Sequence, residues 1–183
     1  MIREIRGNAL QTEAMIIGQG TNCIGAMGKG FAEAIADTWP HVKREFKRLH
    51  SSVPTVRGTR PNTAVAPSLL GTVQFVGVTE VGLRRRLRPN LAAIANLFIQ
   101  LEVGTDRRRV EYDAVRSSLT SARDQMLSGI ILDSRRPDEV LHPTSLALPR
   151  IGAGLSGGDW PTIRAIVDEV FGASPIDVTI YVQ

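Results

Sequence analysis

At 183 residues and 43% hydrophobic content, the chain is long enough to bury a full core and reads as one domain over residues 1–183. A net charge of +4 points to an anionic partner without choosing between a small anion, a nucleotide and a nucleic acid. A single cysteine, Cys23, excludes an internal disulfide framework, and neither a signal peptide nor an apolar run near the ~18 residues of a membrane span is present, so a cytoplasmic protein with no membrane partner is expected.

Ile2 to Ile5 is a short strand ended by Gly7-Asn8, and Ala14 to Gly18 is the next. A glycine-rich loop follows, then a helix from Gly30 to Asp37 with Phe31, Ala34 and Ile35 inward. Beyond Pro40, His41 to His50 repeats Val42, Phe46 and Leu49 as an amphipathic surface helix, and the prolines of Ser51 to Pro67 mark a loop. Thr72 to Val78 and Ala92 to Gln100 are assigned as strands, the second of them an apolar run that periodicity alone leaves open to helix. Between them lies an arginine-rich connector with Arg84, Arg85, Arg86 and Arg88. Further arginines, Arg107 to Arg109 and Arg135-Arg136, sit in loops without interleaved aromatics, which favours solvated loops over a nucleic-acid face.

Tyr112 to Ser128 carries Val115, Leu119, Ala122 and Met126 at helical spacing, a core stripe. Asp133 to Pro143 is polar and turn-rich. Ser145 to Pro149 is a strand, Arg150 to Asp159 a second glycine loop, Trp160 to Phe171 a helix with Pro161 in its first turn, and Ile176 to Val182 a closing strand. Strands alternating with helices predict an α/β fold with a largely parallel sheet, and both glycine loops leave strands at their carboxyl ends, where ligands of such sheets bind.

The second loop matches GxGxxG at Gly152, Gly154 and Gly157, and GxSxG around Ser156. Neither pattern fits its context. Only one helix and one strand follow, too little for a dinucleotide fold, and His41, His50 and His142 all precede Ser156, which excludes the hydrolase order of serine, acid, histidine. Lys29 is followed by Gly30 and not by Ser or Thr, so the first loop is no P-loop. What remains is two glycine loops feeding helix N-termini, suited to phosphate. Cys23 reads as a small buried residue before it reads as a nucleophile. Asn22 can bond a sugar hydroxyl or brace its loop, with its place at a strand end favouring the sugar. Asp159 is equally a general base, a water-orienting group or a helix cap.

Together the two loops resemble the macrodomain family. Asn22 to Ala32 looks like that family's NxxGxMGxGxA segment, and Arg150 to Trp160 like its phosphate-cradling loop, in matching order and across nearly the whole chain. The likeness is to the branch, common in bacteria and phages, that holds ADP-ribose-1''-phosphate phosphatases and hydrolases of ADP-ribosyl glutamate and ADP-ribosyl DNA. It implies a three-layer α/β/α sandwich around a mixed sheet of about six strands, with an ADP-ribose cleft, no metal and no cofactor. It implies that Asn8 contacts adenine and Asn22 the distal ribose. Gly28, Lys29 and Gly30 would line the ribose and diphosphate, and Gly152, Ala153, Gly154, Leu155, Ser156 and Gly157 would wrap the phosphates. Gln100 stands where glycohydrolases of that branch have an attacking lysine, so a lysine-adduct mechanism is not expected, and Ser156 stands where they have an acid. Gln19 replaces a histidine. The expected function is hydrolysis of an ADP-ribose derivative such as ADP-ribose-1''-phosphate, with Asp159 and Asn22 as catalytic candidates. The alternative is a non-catalytic module binding ADP-ribose or an ADP-ribosylated protein or nucleic acid.

Overall fold

The computed structural model describes residues 1–78 and 90–182. The connector with Arg84, Arg85, Arg86 and Arg88 therefore lies outside the described residues. A six-stranded mixed sheet carries the molecule. Its strands are β1 (Ile2–Arg6), β2 (Ile16–Asn22), β5 (Val73–Gly77), β6 (Ala93–Gln100), β9 (Ser145–Pro149) and β10 (Asp177–Val182), in the order β1-β10-β9-β2-β6-β5. All neighbours run parallel except β5, which pairs antiparallel with β6 at the edge.

Helices α1 (Gly30–Thr38) and α2 (Pro40–Ser51) cover one face, and α3 (Tyr112–Ser128) and α4 (Trp160–Phe171) the other. The alternation of β2 shows why both faces are needed. Ile16 joins the core under α3 and α4, while Ile17 joins the one under α1. Strand β6, between β2 and the edge strand β5, is buried at every residue, as a strand covered on both faces must be. The helical stripe Val115, Leu119, Ala122 and Met126 is buried as its spacing required.

Four differences from the sequence reading go beyond one residue at an element's end. β2 starts two residues later than Ala14 and runs on to Asn22, through residues read as loop. Its glycines serve close packing. A Cβ on Gly18 would stand 2.6 Å from Leu148 Cδ2, and one on Gly20 2.5 Å from Ile99 Cδ1. The loop from Ser51 to Pro67 contains a two-stranded hairpin, β3 (Val56–Arg57) with β4 (Ala64–Val65). A second hairpin pairs β7 (Ile130–Ile131) with β8 (Val140–Leu141), the latter inside the Asp133 to Pro143 segment read as turns. The Arg107 to Arg109 run is not wholly solvated, because the Arg109 side chain is only 8% exposed. Among the described residues, no helix is long and apolar enough to cross a membrane.

Candidate functional site

A cleft of about 750 Å³ opens at the carboxyl ends of β1, β9 and β10, within the size range of small-molecule sites. The second loop forms one wall, with Ala153, Gly154 and Asp159 lining the cleft, and α1 the other, with Gly30, Phe31 and Ala34. Asn8 and Tyr181 line it as well. The loops also meet directly. Leu155, 56% exposed at the tip of its loop, places Cδ1 only 3.6 Å from where a Cβ on Gly30 would lie. Gly30 has φ of +61°, so a side chain there would be strained as well as intrusive.

The two helix starts differ in what they offer. Asp159 caps α4: its Oδ2 accepts from Thr162 N at 3.0 Å and from Thr162 Oγ1 at 2.6 Å. These bonds hold its carboxyl below the ordinary aspartate range, and its negative charge occupies the positive end of the helix. Lys29, at the corresponding position of α1, makes no side-chain cap bond. The first turn of α1 therefore keeps its unpaired N–H groups for an anion. The sequence placed phosphate at both helix starts, and the geometry favours α1.

Asn22 lies at the end of β2, where the register against β6 slips by one residue between Thr21 and Asn22. Its Oδ1 accepts from Ile24 N (3.2 Å) and Ala26 N (3.1 Å), and its Nδ2 donates to Ala26 O at 2.7 Å. These are bracing bonds that shape the first loop, and one Nδ2 proton is left over. Asn8 Oδ1 accepts from Leu10 N at 2.9 Å and so starts a 3₁₀ turn at the cleft edge. Cys23 is fully buried, and burial pushes its thiol up to about 12, which makes it a packing residue and not a nucleophile. Among the described residues, no cluster of three His, Cys, Asp or Glu side chains could hold a metal ion.

Gln100 and Ser156 are brought into contact. Ser156 Oγ donates to Gln100 Oε1, while Gln100 Nε2 donates to Glu102 O at 2.9 Å. The second loop is thereby tied to the end of β6. Of the residues expected to line the cleft, Asn8, Gly30, Ala153, Gly154 and Asp159 do so. Asn22, Gly28, Lys29, Gly152, Leu155, Ser156 and Gly157 are not part of its lining. Sequence reading missed Tyr181 and Trp160 as lining residues, while Phe31, packed against the core as its helical spacing required, lines the cleft as well. Phe31 follows the glycine run directly, and Trp160 opens α4, so their adjacency to both loops was a usable signal.

Below the second loop, Glu102 ties three segments. It accepts from Thr59 N at 2.6 Å and from Thr59 Oγ1, and stands 3.7 Å from Arg109, which also pairs with Asp106 at 2.6 Å. Thr59, through these two bonds above all, holds the Glu102 carboxyl below the usual range. Because the folded value lies below the unfolded one, near 4.3, this contribution to stability is complete above about pH 4.3 and is lost as pH falls through the lowered value. Glu102→Gln is therefore expected to flatten the acid limb of the stability curve in that window, read from melting temperature against pH. An unchanged acid limb would remove Glu102 from the tie.

Scanned against protein-family models, the chain matches none. It is 33% identical over 70 residues to ADP-ribose glycohydrolase OARD1 of Bos taurus, a match covering 38% of each chain, well under two thirds of that relative. It superposes on a macrodomain protein from Streptomyces coelicolor with TM-score 0.65 and 26% identity, over 100% of this chain and 99% of that one. It also superposes on Thermosipho africanus DarTG in complex with ADP-ribose, with TM-score 0.69 and 17% identity, over 98% of this chain and 41% of that one. The layers, the sheet order and the cleft at the strand ends define an α/β/α sandwich open at the ends of its parallel strands. More narrowly, the chain has the macrodomain fold, as its paired loops led us to expect.

Proposed function

We propose that the cleft binds ADP-ribose, with the diphosphate between the uncapped start of α1 and the backbone of Ala153 and Gly154. The carrying observation is that uncapped helix start facing a glycine loop across a cleft of about 750 Å³. Phe31 and Tyr181 give an adenine ring apolar faces at the end where Asn8 lies, and Asn8 can accept from or donate to the adenine edge. The ADP-ribose complex of the Thermosipho protein and the glycohydrolase name of the bovine relative support this choice of ligand.

Hydrolysis of an ADP-ribose derivative, ADP-ribose-1''-phosphate first among them, is the enzymatic form of this reading. Asp159 lines the cleft with Oδ2 engaged by Thr162, and its carboxylate is ionised at neutral pH. A lowered pKa makes it a weak base and suits it to orienting water. Loss of Asp159→Ala turnover with retained ADP-ribose affinity is the expected result, measured as phosphate release and calorimetric binding in one preparation. Full turnover in that variant would remove Asp159 from the chemistry. The second reading, a module that binds ADP-ribose or an ADP-ribosylated macromolecule without chemistry, is favoured by one observation. At the end of β6 the chain has Gln100 bonded to Ser156, a neutral pair with no amine to attack the sugar. Saturable ADP-ribose binding without phosphate release would select it.

A further inference from the structure

A second cavity, of about 420 Å³, lies on the other side of the second loop, between the β3–β4 hairpin and residues 102–110. Arg57, Arg107, Arg108 and Arg109 line it, with Glu102 and Glu111. The charges do not cancel. Arg109 is committed to Asp106 and Glu102, and Glu102 to Thr59 as well. Arg57 and Arg107 are exposed and make no ion pair among the described residues, while Arg108 lies over the Tyr112 ring at 4.5 Å. Three guanidinium groups thus stand against the single carboxylate of Glu111. Among the described residues, Arg109 Nε is buried with no hydrogen-bond partner, 2.9 Å from where a Cβ on Gly104 would lie.

The segment that lines the cavity is tied to the second loop. Ser156 O accepts from Arg109 N (2.8 Å) and Val110 N (3.2 Å), and a Cβ on Gly157 would sit 3.3 Å from Arg108 Cα. The near end of the same loop, Ala153 and Gly154, lines the cleft. A ligand that passes the Ser156–Gly157 end of the loop therefore moves from the cleft towards the arginines.

We propose that this cavity is a second anion subsite, which holds a phosphate group carried by whatever is joined to the far end of the cleft ligand. Guanidinium forks match phosphate oxygens two at a time, which a single ammonium cannot do. Placing the subsite at the far end of ADP-ribose rests on the reading of the cleft given above. The phosphate belongs either to a small monoester or to the diester backbone of a polymer, and the test separates them.

The wild-type protein is titrated with inorganic phosphate, and separately with an oligothymidylate of about ten nucleotides, each with and without saturating ADP-ribose. Arg57→Gln and Arg107→Gln, singly and together, are carried through the same titrations, with melting curves as the check on folding. Phosphate binding that persists with ADP-ribose present and falls about tenfold per arginine removed, with ADP-ribose affinity unchanged, is the expected result. Oligothymidylate binding that weakens steeply with salt and is lost in the double variant assigns the phosphate to a polymer; phosphate binding alone assigns it to a small monoester. Absence of both interactions, or phosphate affinity equal in wild type and double variant, overturns the subsite. Phosphate binding that ADP-ribose abolishes overturns it too, since one site would then serve both. If ADP-ribose fails to bind at all, the cleft reading falls, while the phosphate titration alone still decides whether the cavity takes an anion.

Discussion

Gly154→Val is expected to weaken ADP-ribose binding about a hundredfold, or about 2.8 kcal/mol, while leaving the fold intact. The two halves of that result come from different facts. A Cβ on Gly154 would meet nothing within 4 Å, and its φ lies outside the left-handed region, so a valine fits the free protein without strain. Yet Gly154 lines the cleft opposite the start of α1, where a diphosphate would touch backbone. Two added methyl groups would stand between the phosphate and the loop's N–H groups. An exposed substitution of this kind changes stability by no more than about 0.5 kcal/mol, so melting should move by roughly 1–2 °C. Calorimetry and a melting curve on one preparation read both numbers. Parent-like affinity in a well-folded variant would mean that the diphosphate does not lie on this loop.

Phe98→Ala should cost about 3–5 kcal/mol of stability and lower the melting temperature by roughly 10 °C. Phe98 is fully buried near the end of β6 and stacks on Phe46 of α2, with ring centroids 5.5 Å apart and planes at 20°. It links β6 to α2, in the cluster that also holds Cys23 and Met27 of the first loop. Its loss should therefore loosen that loop as well as the core. Denaturant melts measure the first effect, and faster proteolysis between residues 23 and 30 would report the second. A change below 1 kcal/mol would mean that the cavity collapses around the missing ring.

What could be read from the chain follows from how far its signals reach. Helices α3 and α4 and strand β9 begin and end where their periodicity and punctuation placed them. The end of β2 was misplaced because a glycine that makes room for a neighbouring strand looks, in sequence, like a glycine that turns the chain. Only the positions of Leu148 and Ile99 distinguish them. The two-residue strands of both hairpins are too short to show any alternation. At the site, the two glycine loops and their cleft were legible as motifs. The bracing bonds of Asn22 and the cap at Asp159 were visible only as open alternatives, since an amide or carboxylate at a loop end serves either purpose. The Gln100–Ser156 bond spans 56 residues of sequence, and no local pattern reaches that far. The inward turn of Arg109 was hidden inside a run of three arginines for the same reason: its partner Glu102 is a matter of tertiary packing.

The place of β1 in the sheet carries a kinetic consequence. It pairs with β10 alone, in register from Ile2 opposite Val178 to Arg6 opposite Val182, across a separation of 176 residues. During synthesis β1 must therefore wait for β10 before it gains a ladder, and closing so long a loop comes late. Until then it is an unpaired edge. Arg3, Glu4 and Arg6, all exposed, make it a poor template for pairing with another chain during that wait. The sheet can assemble from β2, β6, β5 and β9 outward, with the terminal pair acting as the final clasp on an already folded centre.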